Sequence, residues 1–116
     1  MQFVALIHAN ESDWEALTDA ERQAVYQRYG DFGRRDEVVG GAELESTSSA
    51  TTVRVRNGDR LVTDGPYAEA KEALGGYYIL ECDSIDEACD YAARIPAARH
   101  GAIEVRPVYA DGGEES

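Results

Sequence analysis

Two side chains in this sequence are candidates for acid–base chemistry, and the first is Asp64. It opens the tetrapeptide Asp-Gly-Pro-Tyr at 64–67, just after a predicted strand. Glycine and proline supply the turn geometry that can hold a carboxylate in one fixed direction. The same pattern also fits a simple turn in which the Asp64 oxygens accept hydrogen bonds from nearby amides. Both alternatives, a functional carboxylate and a turn cap, stay open at this point.

His8 is the second candidate, because imidazole is the side chain best suited to proton transfer near neutral pH. It ends the first apolar run of the chain. If it faces a sheet interface, it can meet Asp64 or a ligand there. The alternative is a strand-end histidine with no chemical role. His100, in a predicted loop, is a weaker candidate for a base.

The sequence also predicts a ligand site formed by turn residues and by polar residues of two strands. We assign five residues to this site: Gly65, Pro66, Tyr67, Tyr77 and Arg106. A mixed polar and aromatic lining suits a small organic ligand with an anionic or carbonyl group. Alternatively, Arg106 forms an ion-pair network with Glu104 or Glu81 that only specifies a dimer, and the tyrosines are packing residues.

Several kinds of site have no counterpart in the sequence. It contains no phosphate-binding loop, dinucleotide fingerprint, nucleophile elbow or metal-spaced cluster of histidines and cysteines. We therefore expect no cofactor and no metal. The only two cysteines, Cys82 and Cys89, match neither a metal knuckle nor a redox pair, so we expect both to be buried as small apolar side chains.

The composition predicts one folded domain that avoids nucleic acid and anionic membranes. The chain has 116 residues, 43% of them hydrophobic, and a net charge of −12 from 23 acidic and 11 basic residues. That charge repels phosphate backbones and anionic lipid surfaces. The apolar run Phe3 to Ile7 is too short for a membrane span or a signal-peptide core, so we expect a cytoplasmic protein. We place the domain at 1–109 and a disordered acidic tail at 110–116.

The first predicted strand, Gln2 to His8, is apolar at every position from Phe3 to Ile7. Such a run is expected where both faces of a strand are covered. The domain's own helices can cover only one face. We therefore predict that a second copy of the chain covers the other.

The remaining elements are predicted from caps, turns and periodicity. Thr18 and Glu21 form a capping-box pattern that begins a helix running to about Arg35. Asn57 and Gly58 mark a tight hairpin turn after a strand at 51–56. The other predicted elements are an irregular strand at 38–44, a strand at 77–82 introduced by Gly75-Gly76, a helix over 85–95 ended by Pro96, and a strand at 102–108. One stripe of the predicted helix carries its apolar residues: Ile85, Ala88, Cys89, Ala92 and Ile95. The order predicts an α+β fold, a ferredoxin-like split βαβ domain with an inserted β-hairpin.

Long motifs in this chain closely resemble the DGPF subgroup of YCII-related proteins. They are VTDGPYAEAKEALGGYY at 62–78, AARIPAARHGAIEVRPV at 92–108, and the hairpin TTVRVRNG, with DGPY here where the subgroup has DGPF. The resemblance implies a dimeric α/β-barrel arrangement, in which two sheets pack face to face and enclose a cleft. It also implies a bacterial cytosolic setting, a link to extracytoplasmic-function sigma factors and a largely unassigned biochemical role.

The resemblance has one departure that bears on mechanism. Broader YCII proteins resemble each other in a histidine and aspartate pair proposed as a catalytic dyad, with the histidine on the first helix. This chain has no histidine between Thr18 and Asp36. Any acid–base pair must therefore be assembled from other residues.

Two functions are consistent with these observations. The first is a homodimeric module that binds a small molecule or a regulatory partner in the cleft between sheets. The second is a small enzyme that performs acid–base chemistry on a carbonyl or ring compound with Asp64 and His8.

Overall fold

The computed structural model describes residues 1–110. Six strands and three α-helices occur in this range, with short 3-10 turns at Thr47–Ser49 and Pro96–Arg99. The order is β1 (Gln2–Ala9), α1 (Glu11–Glu15), α2 (Asp19–Gly33), β2 (Val38–Glu43), β3 (Thr51–Arg56), β4 (Asp59–Asp64), β5 (Ala73–Glu81), α3 (Ile85–Ala92) and β6 (Ala102–Pro107). The predicted disordered tail lies outside the described residues from position 111 onward.

The central sheet confirms the predicted α+β, ferredoxin-like fold. Its four strands are antiparallel and stand in the order β2-β5-β1-β6. Strands β3 and β4 form a separate two-stranded sheet, which is the inserted hairpin. Its turn residues Asn57 and Gly58 have φ angles of 54° and 81°, as the Asn-Gly pattern predicts.

The hydrophobic core lies between the central sheet and the helices, on one face of β1. Phe3, Ala5 and Ile7 alternate along this strand and are buried. Phe3 pairs with Leu80 of β5, which is also fully buried. Phe32 of α2 closes this layer with its ring centroid 4.9 Å from that of Tyr78.

Helix α2 begins as its capping box predicts. The amide of Thr18 donates to the Glu21 carboxylate at 2.8 Å, and the Glu21 amide donates to the Thr18 hydroxyl at 3.2 Å. Helix α1 was not predicted. Asn10 caps it by accepting a hydrogen bond from the Ser12 amide at 2.9 Å, and its five residues are too few to show a helical period.

Strand β5 corrects the expected boundary at Tyr77. It begins at Ala73, so Gly75 and Gly76 lie inside the strand and do not introduce it. The reason is close packing against β2: a Cβ atom added at Gly76 would lie 2.9 Å from the carbonyl oxygen of Ala42. Glycine therefore permits a strand here where the sequence suggested a turn.

Helix α3 corrects the prediction that both cysteines are buried. Cys82 is 6% exposed, whereas Cys89 is an exposed residue of α3. Ala88 and Ala92 are the helix residues that face the core, and position 89 is rotated from Ala88 by about 100°. The predicted stripe also included Ile85, which is 42% exposed, and Ile95, which is buried but follows the helix.

We predict that a thiol reagent such as Ellman's reagent modifies Cys89 rapidly and Cys82 slowly in the folded protein. Burial raises the pKa of the Cys82 thiol, so its reactive thiolate is both scarce and shielded. The time course of absorbance should show one fast thiol in wild type and in Cys82→Ser, and none in Cys89→Ser. A fast thiol that persists in Cys89→Ser contradicts the placement of these two residues.

Candidate functional site

The central sheet has one face without helices, which we call the open face. Strand register places Leu6 of β1 between Tyr77 of β5 and Glu104 of β6. Val4 lies between Ile79 and Arg106 in the same way. Residues paired across antiparallel strands point to the same side of the sheet. Three of the predicted site residues therefore share the open face: His8, Tyr77 and Arg106.

His8 is joined to a carboxylate on this face. Its Nε2 atom lies 3.2 Å from Oε1 of Glu104, across the β1–β6 pair. When Nε2 carries the hydrogen, Nδ1 is free to accept a proton, and the carboxylate holds the ring in that orientation. The structure thus gives His8 a carboxylate partner. This partner is Glu104, whereas the sequence pattern suggested Asp64 as the partner of His8.

The charged neighbours of Arg106 are engaged elsewhere. Glu81 binds the amino group of Met1 at 2.8 Å, and Glu104 binds His8. Within the described residues, Arg106 therefore does not form the ion-pair network with Glu81 or Glu104 that the sequence left as an alternative. Its guanidinium group is exposed on the open face.

Asp64 lies away from the central sheet, at the end of β4 and paired with Thr51 in the hairpin. It is exposed, and among residues 1–110 its carboxylate makes no hydrogen bond to His8 or to a turn amide. The turn is held instead through Gly65, whose amide donates to the Ala50 carbonyl at 2.8 Å. The Thr52 hydroxyl donates to the Gly65 carbonyl at 2.9 Å. The predicted roles of Asp64 stay predictions.

The loop after Asp64 borders a small cavity of about 340 Å³. Gly65 and Pro66 line it, together with residues of the 3-10 turn at 47–49. Tyr67 is 78% exposed, and the Arg54 guanidinium lies 5.3 Å from the centre of its ring. The predicted site residues therefore form two groups, one on the open face and one at this loop.

A larger cavity of about 490 Å³ lies where α1 and α2 meet the ends of β2 and β5. Its wall includes Trp14, Tyr26, Tyr29, Glu43 and Tyr78. None of these residues was assigned to a site from the sequence. The α1 segment that carries Trp14 had no helical signal, and the fold alone brings it to the end of the sheet.

Two further observations concern metal binding and membrane spans in the described residues. No group of three or more His, Cys, Asp or Glu side chains in residues 1–110 is arranged to hold a metal ion. None of the helices in that range has the length and apolarity needed to cross a membrane.

Comparison with known proteins gives one family and one relative. The model of the YCII-related domain family matches residues 1–110. An uncharacterised protein of Rhizobium meliloti (strain 1021) is 38% identical over 102 residues, which cover 86% of this chain and 78% of that protein. The family match spans both groups of predicted site residues.

We predict that Asp64→Asn leaves the free energy of unfolding within about 0.5 kcal/mol of wild type, because the carboxylate stabilises no described turn amide. Gly65→Ala should lower it by about 1 kcal/mol or more, because Gly65 has a φ of 102° that an L side chain tolerates poorly. Urea denaturation measures both. A loss of 1 kcal/mol or so in Asp64→Asn would identify Asp64 as a turn cap.

Proposed function

The chain belongs to the YCII-related family, and we propose that it is a homodimer whose open faces pack together around a cleft for a small organic molecule. The observation that supports this most is the open face itself. Apolar Val4, Leu6 and Ile79 lie there beside the hydrogen-bonded His8 and Glu104.

The shape of the subunit supports the dimer. Its extents are 45 × 42 × 19 Å and its radius of gyration is 16.1 Å. A compact chain of this length has a radius of gyration of about 13 Å. The subunit is flat because one layer of helices covers one face of the sheet, and a second subunit would complete the stack of layers.

The hairpin supplies further apolar surface for the same contact. Val53 is 57% and Val55 is 62% exposed, and Val62, which pairs with Val53 on β4, is exposed on the same side of the hairpin. Contiguous exposed apolar side chains of this kind mark contact surfaces. We therefore include the hairpin in the proposed subunit interface.

The polar residues of the open face suit a small ligand. His8, Tyr77 and Arg106 offer hydrogen-bond donors, and Arg106 adds a positive charge that no described carboxylate neutralises. A few convergent polar groups in an otherwise apolar lining are typical of small-molecule sites. An anionic or carbonyl group is the ligand chemistry that these donors recognise.

The dimer is tested by sedimentation velocity on wild type and Leu6→Glu at micromolar concentration. We expect wild type to sediment as a dimer and Leu6→Glu as a monomer, because an unpaired carboxylate in an apolar interface is costly to desolvate. Ile85→Glu, on exposed α3, is the matched control and should stay dimeric. Circular dichroism checks that each variant is folded. A monomeric wild type overturns the proposal.

A second candidate function is acid–base catalysis, and the His8–Glu104 hydrogen bond favours it. A carboxylate that orients an imidazole is the usual arrangement of a general base, with the other ring nitrogen directed at the substrate. In this mechanism His8 removes a proton next to a carbonyl group, Glu104 positions its ring, and Arg106 stabilises the enolate oxygen.

Proton exchange tests this mechanism without knowledge of the natural substrate. Small keto acids and diketones are incubated with the protein in heavy water, and proton NMR follows loss of the signal next to the carbonyl. We expect catalysed exchange in wild type that is lost in His8→Gln and reduced in Glu104→Gln. His100→Gln is the matched control and should behave as wild type.

The outcome also separates the alternatives for the site. Exchange that survives in His8→Gln but disappears in Asp64→Asn would transfer the base to the turn at 64–67. Stabilisation of wild type by these compounds in a thermal-shift assay without any exchange would favour the binding module over the enzyme.

A further inference from the structure

The cavity of about 490 Å³ lies at the end of the sheet, mainly on its helix-covered side, and of the residues assigned above to the open face Tyr77 also lines it. It falls within the range of roughly 300–1,000 Å³ that is usual for small-molecule sites. Ile7 and Tyr78 belong to its wall, and both lie on the helix-covered face of the sheet. A ligand here would therefore be separated from His8 by the sheet.

The wall of this cavity is aromatic. Trp14 and Tyr26 meet edge to face, with ring centroids 5.0 Å apart and planes inclined by 75°. Tyr29 and Tyr78 continue the wall, and the Tyr78 hydroxyl donates to the Tyr29 carbonyl at 3.1 Å. Aromatic faces carry partial negative charge and attract organic cations.

The ionisable residues that line the cavity have one sign of charge. Besides the tyrosines they are all glutamates: Glu11, Glu15, Glu43 and Glu45. No lysine, arginine or histidine of residues 1–110 belongs to the lining. The cavity therefore repels anions, and the net charge of −12 on the chain adds to that repulsion.

The glutamates do not have equal roles. Glu11 is engaged, because its two carboxylate oxygens accept hydrogen bonds from the amide and the hydroxyl of Thr47, at 2.8 and 2.6 Å. Glu43 forms no ion pair within residues 1–110, and the group that interacts with its carboxylate is the Tyr26 hydroxyl. Burial raises the pKa of Tyr26, and the nearby Glu43 carboxylate raises it further. Burial and Glu43 raise the pKa of Tyr78 in the same way. The negative charge of Glu43 therefore acts on the tyrosines of the aromatic wall.

Among residues 1–110, Arg22 places its guanidinium beside this wall, but Arg22 does not line the cavity. Its guanidinium lies 6.0 Å from the centre of the Trp14 ring and donates to the carbonyls of Trp14 and Glu15, at 3.2 and 2.8 Å. It also binds Asp19. Arg22 ties α2 to the end of α1, so it fixes Trp14 in place and leaves Glu43 without a counter-ion.

We propose that this cavity is a binding site for an organic cation, a substituted ammonium group, with Trp14 and Tyr26 as its aromatic wall and Glu43 as its counter-ion. The cavity has room for a group larger than a metal ion. Its aromatic walls attract a diffuse positive charge, and the glutamates of its lining repel phosphates and carboxylates. The cavity and the dimer cleft share Tyr77 but differ in the charge of their other polar residues, so the cavity favours a ligand of opposite charge.

The proposed cation site can be tested by fluorescence. Trp14 is the only tryptophan of the chain, so its fluorescence reports directly on the cavity. The full-length wild type is titrated with choline, and the Trp14 fluorescence is followed. The same titration uses the neutral carbon isostere of choline, in which a tert-butyl group replaces the trimethylammonium group. We expect saturable binding of choline that is about tenfold tighter than that of the isostere.

Variants assign the binding to named residues. Glu43→Gln keeps the shape and removes the charge, so it should weaken choline binding about tenfold and leave the isostere unaffected. Glu72→Gln, an exposed glutamate outside the cavity, is the matched control and should bind choline as wild type does. Calorimetry of Tyr26→Leu, with circular dichroism to confirm folding, should show weaker choline binding as well.

Three results would overturn the proposal. They are equal affinity for choline and its neutral isostere, choline binding that is unchanged in Glu43→Gln, and the absence of saturable choline binding in wild type. None of these depends on whether the protein is a dimer, because sedimentation of the same samples decides that question separately.

Discussion

The register of β1 against its two neighbours is the constraint on which the rest of this molecule depends. β1 is a central strand, so its side chains alternate between the helix-covered face and the open face. A shift of one residue would move Phe3 out of the core and His8 into it. The apolar residues Phe3, Ala5 and Ile7 fix the register because the core is lost in any other. The same register then places His8 next to Glu104 and Leu6 next to Tyr77.

Local signals in the sequence identified much of this framework. The capping box at Thr18 and the Asn57-Gly58 turn act within a few residues, so they can be read without the fold. The β5 boundary was wrong because glycines have two uses, in turns and at close strand contacts. Only the approach of Ala42 to Gly76 decides between them. Cys89 was misplaced because an eight-residue helix gives too little periodicity to define its buried face.

The candidate sites were harder to predict than the fold because they depend on contacts between distant parts of the chain. His8 and Glu104 are 96 positions apart, and only the β1–β6 register joins them. Alternation along β6 predicted that Glu104 and Arg106 share a face, but it gave no partner for either. The aromatic cavity has no sequence motif at all, since Trp14, Tyr26 and Glu43 come from three different elements.

The two faces of the sheet differ in charge, and this difference argues for two distinct kinds of ligand. The open face presents the hydrogen-bonded pair of His8 and Glu104 together with Arg106, which forms no ion pair in residues 1–110, so a negative group would meet its positive charge at Arg106. The cavity on the helix side presents glutamates and aromatic rings, so it attracts positive charge. Phe3, Ala5 and Leu80 fill the core on the helix-covered face of the sheet. Helix α2 contributes Tyr26 and Tyr29 to the cavity but no histidine, whereas the His8 side chain lies on the open face and is hydrogen-bonded to Glu104. The imidazole and the aromatic rings of the cavity therefore lie on opposite sides of the sheet.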